Sequence, residues 1–361
     1  MKITPAGYTR TKEELWSSGL GLHCSTLSRR SAMKITPAGY TRTKEGFTFA
    51  NKTRYAILVL TTLCLSIIQS NTLTLNFTII CMSPPSVSAL EEEVGPRCEF
   101  RMAQWRSTRF GPRKVVSAYG VVSALSTALI PASAGMGFYY LVVMRFLQGT
   151  ALSVCLNIVA YVTGQWSMLK TNAVFIACLS GFYQFGPIFT MPISGMLCSS
   201  SLGWPSVYYV HSVVTVILFV LFFYFYRDVP HMHRNVSARE LGKIQRGKED
   251  ILHREPVPYK AILTSSAVWA VWIAAIGNFM GGVLPILYGP TYLNKVLGFP
   301  VEVTGLLAAV PQVFTFISKI TAGIISDKAT CCRPVVSVKV FNTIAVGGLG
   351  VFLIAVAYTP A

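Results

Sequence analysis

The sequence predicts an all-α membrane protein, and three observations carry that reading. Hydrophobic residues make up 52% of the 361 while only 12% are charged, about half the charged share of an ordinary soluble domain. Apolar segments long enough to cross a hydrocarbon core of about 30 Å, which takes about 20 helical residues, recur along the chain. The net charge of +17 gathers between those segments, in residues 1–54, 97–114 and 227–260, whereas from Val115 to Tyr226 the only charged side chains are Arg145 and Lys170. Basic loops flanking spans are the expected cytoplasmic signature. A nucleic-acid partner is not expected, because no aromatic–basic reading surface accompanies the charge.

Residues 1–52 read as a cytoplasmic tail. It carries the stretch MKITPAGYTRTKE twice, at 1–13 and 33–45. Two perfect copies are not a solenoid, whose units repeat imperfectly and at least three times, so residues 1–32 are set aside as a duplication expected to lack order. Residues 1–32 hold no apolar core of the kind a signal peptide carries. Eight segments then read as spans: 55–82, 115–135, 137–163, 172–197, 206–226, 266–291, 301–325 and 335–358. They divide into a first bundle over 53–226, a central basic cytoplasmic loop over 227–265 and a second bundle over 266–361. Gly and Pro interrupt several, notably SGFYQFGPIFTMPISG at 180–195, as membrane helices tolerate. The run GVVSALSTALIPASAG is rich in small and β-branched residues, but its length favours a helix.

Charge and span count disagree in the first bundle. The tail through Arg54 holds ten Lys/Arg against three acids, and residues 227–260 hold eight against five. If both are cytoplasmic, an even number of spans separates them, yet five are legible. The stretch 83–114 carries too many charges to cross, so a span is expected to be missing there. Nine cysteines are scattered without metal-ligand spacing; several fall in apolar runs and read as packed small hydrophobes, and the adjacent Cys331 and Cys332, in an expected cytoplasmic turn, read as reduced and structural. No nucleophile–base constellation, phosphate-binding loop or metal cluster is legible, so neither an enzyme nor a cofactor is expected.

Two turns say the same thing in different words: STRFGPRKV at 107–115 and AGIISDKATCCRP at 322–334. Each is basic, contains glycine and joins two spans, one in each half. This resembles the major facilitator superfamily, whose two six-helix halves each carry such a gate turn. Within it the chain is similar to the anion/cation symporter family that includes sialin, the vesicular glutamate transporters and the sodium–phosphate cotransporters, with wording nearest a divergent nematode branch. The stretches NFT (76–78), MRFLQGT (144–150), GWPSVYY (203–209), YGPTYLNKVLGF (288–299) and GLLAAVPQV (305–313) carry the resemblance. It implies a major facilitator fold of two helical bundles, here truncated to about eight of twelve helices, with the second and the last three lacking. It also implies secondary active transport of small organic or inorganic anions by alternating access, coupled to sodium or protons. The implied setting is a monomer in a lipid bilayer, either the plasma membrane or a vesicular or lysosomal one. A polytopic receptor or a non-functional truncated product are the alternatives.

Arg145 is the residue most in need of an explanation. Placing an arginine at the bilayer centre costs about 2.5–3.5 kcal/mol on insertion scales, so it is expected to face a cavity or a partner. It lies eight residues past Gly137, about 12 Å down a helix. By resemblance it meets the substrate's negative charge. The family's glutamate seven residues on, implicated in proton coupling, is here Leu152, and a further arginine before the first-span asparagine is here Thr74. Gln148, one turn below Arg145, is a candidate substrate contact or an interhelical hydrogen bond. Tyr183, Gln184, Asn278 and Tyr288 are candidate cavity residues. Arg109, Gly111, Arg113 and Lys114 match the first gate turn, and Asp327 is its second-half counterpart. Lys319 is expected to snorkel to the cytoplasmic surface, and His211 to sit solvated near a span's outer end.

Overall fold

The computed structural model describes residues 52–82, 111–246, 259–328 and 334–358, and among them every regular element is a helix. In chain order these are α1 (Thr53–Thr78), α2 (Pro112–Met136), α3 (Phe138–Ser153), α4 (Cys155–Trp166), α5 (Asn172–Leu179), α6 (Phe182–Ser199), α7 (Gly203–Phe225), α8 (Ala238–Gln245), α9 (Tyr259–Thr264), α10 (Ser266–Thr291), α11 (Val301–Lys328) and α12 (Pro334–Tyr358). Seven continuous helical stretches among the described residues are long and apolar enough to span a membrane. Two are composite: α3 with α4 over Phe138–Trp166, and α5 with α6 over Leu169–Ser199. The eighth expected span is α12, which carries a shorter apolar run, Lys339–Ala355. Prolines inside α2, α6, α10 and α11 are tolerated because neighbouring helices can satisfy the freed backbone groups.

α1 is the axis of the first bundle. It packs against α6, α7 and α3, while α2 packs on α7 and α3. The shared core joins Ile57, Leu65 and Ile68 of α1 to Ile158, Val162 and Trp166 of α4, Leu179 and Phe182, and Phe219 and Phe222 of α7. Lipid tails are as apolar as leucine, so this packing is driven by close contact and by hydrogen bonds rather than by escape from water. The outward faces stay apolar: Leu125, Phe146, Val213, Ile217 and Phe352 are all exposed.

The ends of α1 define two faces. At its N-terminus, Thr53 and Arg54 donate backbone N–H groups to Glu240 at 3.3 and 3.0 Å. At the N-terminus of α2, Arg113 donates its backbone N–H to Asp228 at 2.8 Å. Both helices therefore start at the face carrying residues 227–246 and run the same way. That is the mismatch read from the charges. Residues 83–110, which join them, lie outside the described residues, as do 1–51, Arg109, Cys331 and Cys332.

The opposite face is tied by a disulfide between Cys81, just past α1, and Cys198, at the end of α6. The two helix ends bring together cysteines that no local pattern links. Cys64 and Cys155 do pack as buried hydrophobes.

The second half meets the first mainly along one seam, where α11 lies against α5 and α6, with a smaller contact of α10 on α1. Glycines set the closeness of that seam. A Cβ on Gly305 would strike the carbonyl oxygen of Met191 and lie 3.4 Å from the Cα of Gly195, while one on Gly195 would lie 3.1 Å from the carbonyl oxygen of Val301. Backbone meets backbone, which only residues without a side chain permit.

Candidate functional site

Arg145 sits half-buried on α3 and turns inward. Its Nη1 donates to the carbonyl oxygen of Thr72 on α1 at 2.8 Å and to Oε1 of Gln148, one turn on, also at 2.8 Å. Gln148 is 1% exposed and donates from Nε2 to Oγ1 of Thr127 on α2 at 2.8 Å. Thr127 in turn donates to the carbonyl oxygen of Ser123 at 2.7 Å. The guanidinium is thus aimed by a relay across three helices whose members are all neutral. A fork with five N–H donors keeps the rest of its hydrogen-bonding capacity for an acceptor that is not part of this network. Of the two roles expected of Gln148, the structure shows the interhelical hydrogen bond, to Thr127, and adds one that was not expected, the bond that fixes Arg145.

A second neutral network lies beside the first. Asn71 donates from Nδ2 to Ser123 at 2.9 Å and to Thr215 on α7 at 3.0 Å, and Thr215 donates to the carbonyl oxygen of His211 at 2.6 Å. His211 is 0% exposed, with Nδ1 2.7 Å from the carbonyl oxygen of Val207 and its ring edge-on to Phe189. The expected solvated histidine is therefore corrected, because α7 turns that face toward α1. Sequence reasoning passed over Asn71, Ser123, Thr127 and Thr215. Their signal was polar residues recurring at helical spacing inside apolar runs, at 71, 74 and 78 and at 123 and 127.

At the seam, Lys319 of α11 donates from Nζ to Oε1 of Gln184 at 2.9 Å and to the carbonyl oxygen of Ser180 at 3.2 Å. Snorkelling is corrected here too. The helix break at Ser180–Gly181 leaves a carbonyl without its helical partner, and a lysine on the facing helix is well placed to satisfy it. Tyr183, half-buried, stacks on Phe182 with ring centroids 4.2 Å apart and meets Phe279 of α10 edge-on at 6.2 Å. Asn278 and Tyr288, by contrast, are exposed on α10. The structure brings Gln184 and Lys319 together, and Arg145 and Gln148, but neither Asn278 nor Tyr288 joins them.

Three carboxylates close the 227–246 face, each at a helix N-terminus where unpaired N–H groups and the helix dipole favour an anion. Asp228 takes α2, and Gly111 makes room for it. At φ +80 Gly111 holds a conformation that L side chains rarely adopt, and a Cβ there would stand 2.7 Å from Oδ2 of Asp228. Arg113 closes over the same corner, donating from Nε to the carbonyl oxygen of Phe223 at 2.7 Å with its guanidinium 4.3 Å above the Phe223 ring. Lys114 is exposed. Glu240, 1% exposed, takes α1. Asp327 takes α5 from the other half, accepting from the backbone N–H groups of Ala173 and Val174 at 3.0 and 2.9 Å. It is the one carboxylate of the three that joins the two halves.

His233 braces this face. Nδ1 accepts from the backbone N–H of Asn235 at 3.2 Å while Nε2 lies 3.1 Å from the carbonyl oxygen of Phe225, an arrangement that uses the neutral ring with its proton on Nε2. Burial, with Arg227 nearby, pushes its pKa below the ordinary 6.5, against the Phe225 hydrogen bond and Glu240, which raise it. A depressed folded pKa means that the contribution is fully present above 6.5 and is lost as pH falls below it. The melting temperature in detergent should therefore drop between about pH 7 and pH 5. His233→Phe should show a smaller acid loss, since a phenyl ring packs on Trp166 and Phe225 without titrating. An identical acid loss in that variant would exclude His233 as its source.

Residues 102–361 match the Major Facilitator Superfamily domain. Curated relatives include sodium-dependent phosphate transport protein 1 of Rattus norvegicus, 30% identical over 68% of this chain and 54% of the relative. Human sialin is 24% identical over 68% of this chain and 50% of its own length. A Caenorhabditis elegans protein named "Uncharacterized transporter slc-17.2" is 27% identical over 70% and 53%. The chain spans about half the length of the curated relatives it matches. Seven helices long and apolar enough to span a membrane among the described residues, and a domain match over most of the length, place it: the chain belongs to the major facilitator superfamily.

Proposed function

We propose that the chain serves secondary transport of small organic or inorganic anions by alternating access. The observation that supports it most is Arg145, a permanent cation inside the bundle that donates to a backbone carbonyl and an amide, both neutral. Inserting that charge costs about 2.5–3.5 kcal/mol, and a structural hydrogen bond to Thr72 could be made without any charge. The relatives' names, sodium-dependent phosphate transport protein and sialin, point to oxyanions as the substrate class. Gln148 aims the guanidinium, Tyr183 and Gln184 line the seam side of the path, and Asp327 with Asp228, Gly111 and Arg113 holds the gate. Asn278 and Tyr288 have no part in this reading.

The basic 227–265 loop is assigned to the cytoplasm, which puts the Cys81–Cys198 bond on the outer or luminal face, where disulfides persist. A membrane-impermeant maleimide applied to intact cells should label these two cysteines only after reduction; labelling that requires permeabilisation would reverse the topology. With Leu152 in place of a protonatable side chain, sodium coupling is favoured over proton coupling. The test is uptake of radiolabelled phosphate, glutamate and sialic acid into proteoliposomes with sodium and pH varied independently. Accumulation of none of the three would refute the reading.

A further inference from the structure

Lys319 is the second charged side chain directed into the bundle, and the transport path described so far does not use it. Its two acceptors, Gln184 Oε1 and the Ser180 carbonyl oxygen, are neutral and belong to the opposite half. An ammonium has three donors, so one N–H remains. The acids of α11 are remote along the helix: Glu302 is about 25 Å away and Asp327 about 12 Å away at 1.5 Å per residue, and Asp327 is committed to the α5 N-terminus.

α1 joins Lys319 to Arg145. Thr72 accepts from Arg145. Two residues earlier, Ser70 donates to the carbonyl oxygen of Gly186 at 3.1 Å, and Gly186 lies two residues past Gln184, the acceptor of Lys319. Gln69 lies against the same glycine, its Cγ 2.7 Å from where a Cβ of Gly186 would stand. Gln69 is 9% exposed and its Oε1 has no hydrogen-bond partner. The short stretch Gln69–Thr72, about one helical turn, thus touches the surroundings of both cations and carries an unused buried acceptor.

We propose that Lys319 is a second anion-binding group, supplied by the second half, and that with Arg145 it selects oxyanions carrying two negative charges over singly charged ones. This rests on the anion-transport reading and deepens it. Two cations on opposite halves hold a dianion through both, whereas a monoanion is satisfied by one. Such an anion also bridges the halves, so its binding and the closure of the path become the same event.

The test uses the purified full chain in lipid nanodiscs, with radiolabelled phosphate as the probe and sulfate or nitrate as competitor. The parent chain should release phosphate to sulfate far more readily than to nitrate. Lys319→Gln retains an amide donor for Gln184 and Ser180 but removes the charge. It should weaken phosphate binding about tenfold or more, the usual worth of a hydrogen bond to a charged group, and abolish the preference for sulfate. Lys319→Arg should keep both. Phosphate binding by Lys319→Gln within about twofold of the parent, or equal losses in Lys319→Gln and Lys319→Arg, would make Lys319 a packing contact and overturn the proposal. Arg145→Ala separates the two levels. If it loses phosphate binding while Lys319→Gln retains it, this inference alone fails; if it binds like the parent, or the parent binds no phosphate, the transport reading fails with it.

Discussion

Arg145→Ala is expected to abolish anion uptake while leaving membrane insertion intact. The substitution removes a charge that is costly to insert, so expression and helix assembly should not suffer. What it removes from binding is larger. Truncating one partner of a buried, hydrogen-bonded charge pair costs about 2–5 kcal/mol, which is about thirty-fold or more in affinity at 1.4 kcal/mol per decade. Arg145→Lys should also transport poorly. An ammonium is a point donor that lacks the planar fork able to hold Thr72, Gln148 and a carboxylate or phosphate together. Radiolabelled uptake in proteoliposomes, normalised to reconstituted protein, measures both variants. Uptake by the Ala variant at the parent's rate would make Arg145 a structural residue and remove the observation on which the function rests. A dependence on protons alone would leave the anion site standing and require a protonatable group elsewhere, since Leu152 cannot bind a proton.

Gly305→Ala should disrupt the seam between the halves. The added methyl would meet the Met191 carbonyl oxygen and, at 3.1 Å, the Met191 carbonyl carbon. These are backbone atoms of α6, which cannot rotate aside as a side chain does. Overpacking of this kind costs about 1–3 kcal/mol, and relief by separating α11 from α6 would also part Lys319 from Gln184. The informative control is Gly277→Ala on α10, where a Cβ would meet nothing within 4 Å, so stability should hold or rise slightly, as alanine is the better helix former. The fraction of monodisperse protein after heating in detergent reports the difference, and uptake should fall with it. A Gly305→Ala protein as heat-resistant and active as the parent would mean that the seam opens at no cost and is not a fixed contact.

The expected spans agree with the helices within a few residues at most ends, because a bilayer reads hydrophobicity as a sum over a window of chain. That sum is written in sequence. The same holds for Arg145, whose charge is anomalous in any arrangement of the helices, and for Asp327, Gly111 and Arg113, which lie at span ends wherever the spans go. Other features depend on how each helix is rotated about its axis and on which neighbour it meets, and a window sum carries neither. Lys319 turns to Ser180 and Gln184 rather than to the surface because the facing helix, broken at Ser180–Gly181, presents the Ser180 carbonyl oxygen and the Gln184 amide oxygen to it. His211 is buried because its face of α7 meets α1, not solvent. Asn278 and Tyr288, also polar groups within an apolar segment, stay exposed because α10 turns them away. Cys81 and Cys198 pair across 117 residues of sequence because α1 and α6 end side by side. Hydrophobicity and charge placed this protein in a membrane with a cation inside it, and only helix rotation and neighbour identity, properties of the packed bundle, decided which polar groups that cation and Lys319 would meet.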